Sequence, residues 1–237
     1  MAIFDQAEFQ VRCEWGLRGL SELAPVSDVL ILIDVLSFGT ALDIATARGA
    51  VVFPYPLKGQ PANEYAASLD ARVACADRAG GFSLSPASLR ALPAGFRLVL
   101  PSPNGAALSF HADHPAVFAA CLRNATAVAR AAAGMGSTFA VVVAGETWPS
   151  GELRPALEDL IGGGAVIASL PGTRSPEAEM AAACFGRFRS NLAAALRNCS
   201  SGKELMARGF AADVELAAEL DASANLPRLI ERAFVST

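Results

Sequence analysis

The stretch "LILIDVLSFGTALDIATARGA", Leu30 to Ala50, sets a single acid, Asp34, at the end of an apolar run. The run Val29-Leu30-Ile31-Leu32-Ile33 has the length and β-branched content of a strand buried on both faces. Behind Asp34 come a small polar loop and a helical pattern beginning near Phe38 and Gly39. A carboxylate on the last rung of a buried strand has two readings. It caps the following helix, or it holds a metal ion or an oxygen of a substrate.

Outward from this unit, the same alternation repeats. "EFQVRCEW", "AVVFPYP", "ARVACAD", "FRLVLPS", "AVFAACL" and "TFAVVVAG" read as strands. "GQPANEYAASL", "NGAALSFHA", "NATAVARAAAG" and "LRPALEDLIGGGAVIASL" read as the helices between them. Strand and helix in alternation predict an α/β fold, a three-layer sandwich with a largely parallel or mixed sheet. In such folds ligands gather beyond the carboxyl ends of the strands. From Pro176 the pattern turns almost wholly helical. One domain over residues 1–237 is expected, with 176–237 mainly helical and packed on the rest.

The 237 residues suffice for a sizeable core, and 53% of them are hydrophobic against 18% charged. A net charge of -4 excludes a globally basic nucleic-acid binder. No apolar run reaches the roughly 20 residues of a membrane-spanning helix, and the first ten residues do not read as a signal peptide. Five widely spaced cysteines without a CxxC pair suit reduced thiols, hence a cytoplasmic location. Nothing in the pattern fixes the oligomeric state, and a homo-oligomer stays open.

Several chemistries drop out. There is no GxxxxGK[ST] loop, no G-x-S-x-G elbow and no C-x5-R phosphatase loop. Asp34-Val35-Leu36 lacks the second acid of a D-x-D site. The two histidines, His111 and His114, are too few for a zinc site by themselves and suit a loop or helix end.

Four segments would then meet at strand ends: Asp34 with Thr40, Asp77-Arg78, Asn104-Gly105, and the stretch carrying Glu146 and Glu158-Asp159. Helix capping is an equally good account of Asp34, Asn104 and Asn124. Glu158 and Asp159 are neighbours, so on a helix they point about 100° apart, and a solvated face would account for at least one.

Taken in order, these segments resemble the 2-phosphosulfolactate phosphatase family. "LILIDVLSFGTALDIATARGA" is similar to its strand, "DVL" and threonine-bearing helix. "PSPNGAAL" resembles its T-T-N-G-T element, and "LRNATAVA" its L-N-A segment. "VVVAGETWPSGELRPALEDLIGGGAVI" resembles its A-G loop and E-D helix, and the tail from Ser201 to Pro227 follows its pattern. The likeness spans about Val26 to Pro227.

The resemblance implies a Mg2+-dependent phosphatase acting on 2-phosphosulfolactate or a related small anionic phosphate ester, with no nucleic-acid or membrane partner. It implies catalytic roles for Asp34, Asp77 and Asp159. Metal ligation would fall to Asp34 with Glu158 or Asp159, and substrate contacts to Thr40, Arg78, Asn104, Gly105 and Asn124. The sequence departs from the family pattern at several positions. The arginine after D-V-L is Ser37, G-E-R is Ala76-Asp77-Arg78, the G-N-S-P turn keeps only Ser85-Pro86, and the T-N-G-T threonine is Ala106. Each guanidinium lost from an anion site forfeits roughly 1.5–3 kcal/mol, so Arg123 or Arg154 would have to replace it. The alternative is a divergent, non-catalytic member binding a small anion or a partner protein.

Overall fold

The structure, a computed structural model, describes residues 3–237. The strands are β1 Val11–Trp15, β2 Val29–Ile33, β3 Val51–Tyr55, β4 Arg72–Val73, β5 Arg97–Pro101, β6 Val117–Ala120, β7 Phe139–Val143, β8 Glu146–Thr147, β9 Leu153–Arg154, β10 Pro227–Ile230 and β11 Ala233–Ser236. The helices are α1 Gly16–Leu23, α2 Phe38–Ala47, α3 Gln60–Ser68, α4 Pro86–Leu89, α5 Gly105–His111, α6 Ala125–Ala133, α7 Leu157–Ile167, α8 Pro176–Phe188, α9 Leu192–Asn198, α10 Ser200–Ala207 and α11 Ala211–Ala217. None of them is long and apolar enough to cross a membrane.

Nine strands form one sheet in the order β1-β7-β2-β6-β10-β11-β3-β5-β4. Five of its pairings are parallel and three antiparallel, all three of the latter involving the β10–β11 hairpin. The fold is therefore the expected α/β sandwich with a mixed sheet. Strand β2 explains its own composition. Alternate residues face opposite ways, so Ile31 and Ile33 enter the core under α6, α7 and α8, while Leu30 and Leu32 pack with Leu108 of α5 and Leu20 and Leu23 of α1.

The tail is where the sequence reading needs correcting. Residues 176–217 are helical as expected, but β10 and β11 then enter the middle of the sheet and join its two parallel halves. Side-chain hydrogen bonds tie the approach to this hairpin. Asn225 Nδ2 donates to Asp43 O at 2.9 Å and to Thr46 Oγ1 at 2.7 Å, and Ser223 Oγ donates to Asp43 Oδ1 at 2.7 Å.

Helix α7 carries Gly162-Gly163-Gly164 in its interior, at a cost of about 1 kcal/mol each relative to alanine. The return is close approach. A Cβ on Gly164 would stand 2.0 Å from Ala181 O of α8, one on Gly163 2.8 Å from Val143 Cγ1, and one on Gly162 2.5 Å from Val35 Cγ2. The helix thus lies flat against the sheet, which brings its first turn, with Glu158 and Asp159, to the carboxyl end of β2.

Candidate functional site

Asp34 performs the capping duty and more. Its Oδ1 accepts the amide of Phe38 at 3.0 Å, the first residue of α2. Its Oδ2 accepts the amide of Gly105 at 2.8 Å, the first residue of α5. One carboxylate thus joins two helix starts. Only glycine fits at 105, because a Cβ there would meet Asp34 Oδ2 at 2.5 Å and Phe38 Cδ1 at 2.7 Å. The Gly105 amide is consequently spent on Asp34.

Asp159 works in the same way from the other side. Its Oδ1 accepts the Val35 amide at 2.7 Å and its Oδ2 the Gly145 amide at 2.9 Å. Glu158, its neighbour, is 2% exposed and Asp159 is 3% exposed. The expectation of a solvated face for one of them is overturned. Leu157 and Leu160 take the open side of the first turn of α7, so the angle between Glu158 and Asp159 does not send either into water. Glu158 Oε2 is buried without a hydrogen-bond partner.

Glu146, in the loop after β7, completes the group. It accepts Asn104 Nδ2 on Oε2 at 2.8 Å, while Asn104 Oδ1 accepts Thr147 Oγ1 at 3.2 Å. Asn104 therefore ties the start of α5 to the β8–β9 hairpin and leaves its own helix uncapped. Glu146, which the sequence places in one of the four converging segments, is the member of the group to which it assigns no catalytic or metal role. The signal was a lone acid directly after an Ala-Gly pair at a strand end.

The electrostatics follow from this crowding. Burial, then the charges of Glu146 and Glu158, push the Asp34 carboxyl up to about 7, against the pull of its two amides. Asp159 is raised well above the ordinary range by burial and by Asp34 and Glu158. Burial likewise raises Glu146. No lysine or arginine pairs with any of the four among the described residues.

Arg78 reaches the same corner. Its Nη2 donates to Ser37 Oγ at 2.7 Å and to Leu84 O at 2.8 Å, and lies 3.8 Å from Asp213 Oδ2. The guanidinium next to residue 37 is thus supplied by Arg78. Arg123 is elsewhere, held by Asp43 at 2.9 Å and by Glu219. Arg154 donates to Ser201 Oγ at 3.1 Å and lies over the Trp148 ring.

Three expected site residues have other employment. Asp77 is exposed and accepts the Ala79 amide at 3.0 Å, a turn within its own loop. Thr40 is fully buried and donates to Val35 O at 2.8 Å. Asn124, also fully buried, accepts the Cys121 amide at 2.9 Å and donates to Asn225 O at 3.2 Å. Each spends its polar group on backbone, in the exposed turn for Asp77 and in the interior for Thr40 and Asn124. His111 ends α5, and His114 bonds Ala116 O and Ser27 O, a loop role.

Among the described residues, no three His, Cys, Asp or Glu side chains converge as a ready-made metal chelate. Magnesium asks for less than that: one or two carboxylates, several waters and substrate oxygens. The unpartnered Glu158 Oε2 is one hard-oxygen donor of that kind, while both oxygens of Asp34 and of Asp159 already accept backbone amides.

An α/β sandwich with four acids and an arginine at its strand ends has the composition of a site for an anion and a cation together. The chain belongs to the 2-phosphosulpholactate phosphatase family, whose model matches residues 19–232. Among curated relatives it is similar to a protein of Gloeobacter violaceus (strain ATCC 29082 / PCC 7421) described as a probable 2-phosphosulfolactate phosphatase, 33% identical over 137 residues. That alignment covers 57% of this chain and 56% of the relative, so the chain spans just over half the length of the protein it matches.

Proposed function

We propose that this protein is a magnesium-dependent phosphatase that hydrolyses 2-phosphosulfolactate or a related small phosphorylated organic acid. One observation carries the reading. Asp34, Glu146, Glu158 and Asp159 stand in one another's field without an ion-pair partner among the described residues, and one buried Glu158 oxygen has no hydrogen-bond partner. Like charges packed at low dielectric are costly unless protonated or paired with a metal.

Glu158 and Asp34, with Asp159 behind them, would hold the ion, which when bound supplies Lewis-acid polarisation of a phosphoryl oxygen and an ordered water. The chain's own groups do the rest. Asp159 fixes the backbone at Val35 and Gly145, so both loops that carry acids keep their spacing. Asn104 orients Glu146 through Oε2 and leaves Oε1 as the atom that takes or returns a proton. Burial raises the pKa of Glu146, so it holds a proton more readily than a free glutamate does. Arg78 offers charge to the anionic substrate, and phosphoryl transfer depends on such positioning more than on covalent help.

The assay is phosphate release from 2-phosphosulfolactate by the purified protein with Mg2+ and with EDTA. Release that requires the metal supports the proposal. A folded protein that releases none contradicts it. The second reading, an anion-binding member without turnover, draws on Ser37 standing where the family pattern has arginine and holding Arg78 by hydrogen bond. Phosphate binding without hydrolysis in the same assay would favour it.

A further inference from the structure

A cavity of about 400 Å³ opens at the carboxyl ends of β3, β4 and β5, with Arg78, the residue that donates to Ser37 Oγ, in its wall. Lys58, Arg78 and Arg208 line it, and no aspartate or glutamate does. We infer that this cavity is the subsite for the substrate's second acidic group, the carboxylate or sulfonate that is not transferred. In that role Lys58 and Arg208 set the preference for phosphorylated acids over neutral phosphate esters. The inference rests on the phosphatase reading above and sharpens it.

Arg78 stands in the wall of the cavity. Its side chain is 10% exposed, and its Nε is buried without a hydrogen-bond partner. A guanidinium carries five donors, and one left unpaired in a buried position costs free energy until an acceptor arrives. The nearby acid does not meet that demand. Asp213 sends Oδ1 to Ser85 Oγ at 2.6 Å and to the Ala87 amide at 3.1 Å, while its Oδ2 stands 3.8 Å from Arg78 Nη2. An anion in the cavity would offset the charge that burial leaves on Arg78, one of its lining residues.

The two other cations add charge without geometry of their own. Lys58 is exposed at the mouth, in the loop between β3 and α3. Arg208 follows α10, bonds Glu204 at 3.2 Å and lies 5.8 Å from the Phe210 ring centroid, the same ring that Arg78 covers at 5.4 Å. Two arginines on one ring aim positive charge at a single opening. Asp34 also acts on the charge of Arg78. A substrate with its phosphoryl group at the acids would therefore extend past Arg78 into the cavity. A neutral ester has nothing to give these cations, and the desolvation of Arg78 would stay uncompensated.

The test uses two probes on the full-length protein and on Lys58→Met, Arg208→Gln and the double variant. Calorimetry with sulfolactate, the dephosphorylated acid, reads the subsite without any turnover. The double variant is expected to lose at least about tenfold in affinity, and Arg208→Lys to recover most of it. Kinetics then compare 2-phosphosulfolactate with phenyl phosphate. The ratio of their kcat/KM values should fall at least about tenfold in the double variant, through KM. Both residues are exposed, so an unchanged Tm is the folding control. Sulfolactate that fails to bind the wild type, or binds the double variant equally well, overturns the inference. If neither ester is hydrolysed by the wild type, the phosphatase reading falls, and the calorimetry still decides the subsite.

Discussion

Asp159 holds the backbone on which Asp34 stands. It accepts the amide of Val35, the very next residue, at 2.7 Å, while its other oxygen grips Gly145 at 2.9 Å. Asp34 in turn pins the starts of α2 and α5. Four chain segments distant in sequence are thereby stitched by two carboxylates, and the remaining acids, Glu146 and Glu158, are left with spare oxygens.

This division separates structural from functional acids by experiment. Asp159→Ala would orphan two buried amides and should lower unfolding free energy by about 2 kcal/mol or more in urea. Glu158→Gln replaces a buried carboxyl whose Oε2 has no hydrogen-bond partner to lose, so stability should change by less than about 1 kcal/mol or rise. The same substitution should abolish phosphate release. Equal destabilisation by both variants would show that Glu158 is structural.

The pH dependence of stability has a definite sign. The Asp34 carboxyl keeps its proton up to about 7 in the folded chain but releases it near 3.8 when unfolded. Between these values the folded state binds more protons, so stability falls as pH rises, by at most about 1.4 kcal/mol per pH unit for this group. Below the unfolded value both states are protonated and the effect vanishes. Urea midpoints in EDTA should therefore decline from mildly acidic to neutral pH, and Asp34→Asn should flatten the decline. Midpoints that rise over that range would contradict the crowding of the acids.

The crossing at Gly105 is a steric test. Gly105→Ala places a methyl group 2.5 Å from Asp34 Oδ2 and 2.7 Å from the Phe38 ring. Overpacking of this kind costs typically about 1–3 kcal/mol, and the displacement of Asp34 should reduce kcat by at least about tenfold. A variant with wild-type Tm and activity would mean that α5 can retreat from Asp34 at no cost.

Much of this was legible in the residues. The apolar run before Asp34 and the strand–helix alternation define the sandwich, since a five-residue strand buried on both faces must be nearly all aliphatic. The convergence of Asp34, Asn104-Gly105 and the Glu158-Asp159 pair followed from the rule that ligands collect at strand ends. The failures have physical causes. Helical periodicity placed Glu158 and Asp159 on different faces, but it cannot tell how deeply a helix start is covered. The β10–β11 hairpin was hidden because its turn is Glu231-Arg232, both in the left-handed region with φ of 47° and 67°, where asparagine and glycine are the usual signal. Asp77, Thr40 and Asn124 carry the right chemistry, yet turns and backbone groups claim their polar atoms, a claim invisible before the chain is folded.

The central claim is that the acids around Asp34 and Glu158 hold a divalent cation. Titrating Mg2+ into metal-free protein at neutral pH, in buffers of different ionisation enthalpy, tests it most directly. The account expects saturable binding with release of protons from the raised carboxyls, and loss of that binding in Glu158→Gln. A folded wild-type protein that takes up no Mg2+, or binds it identically after Glu158→Gln, would contradict it.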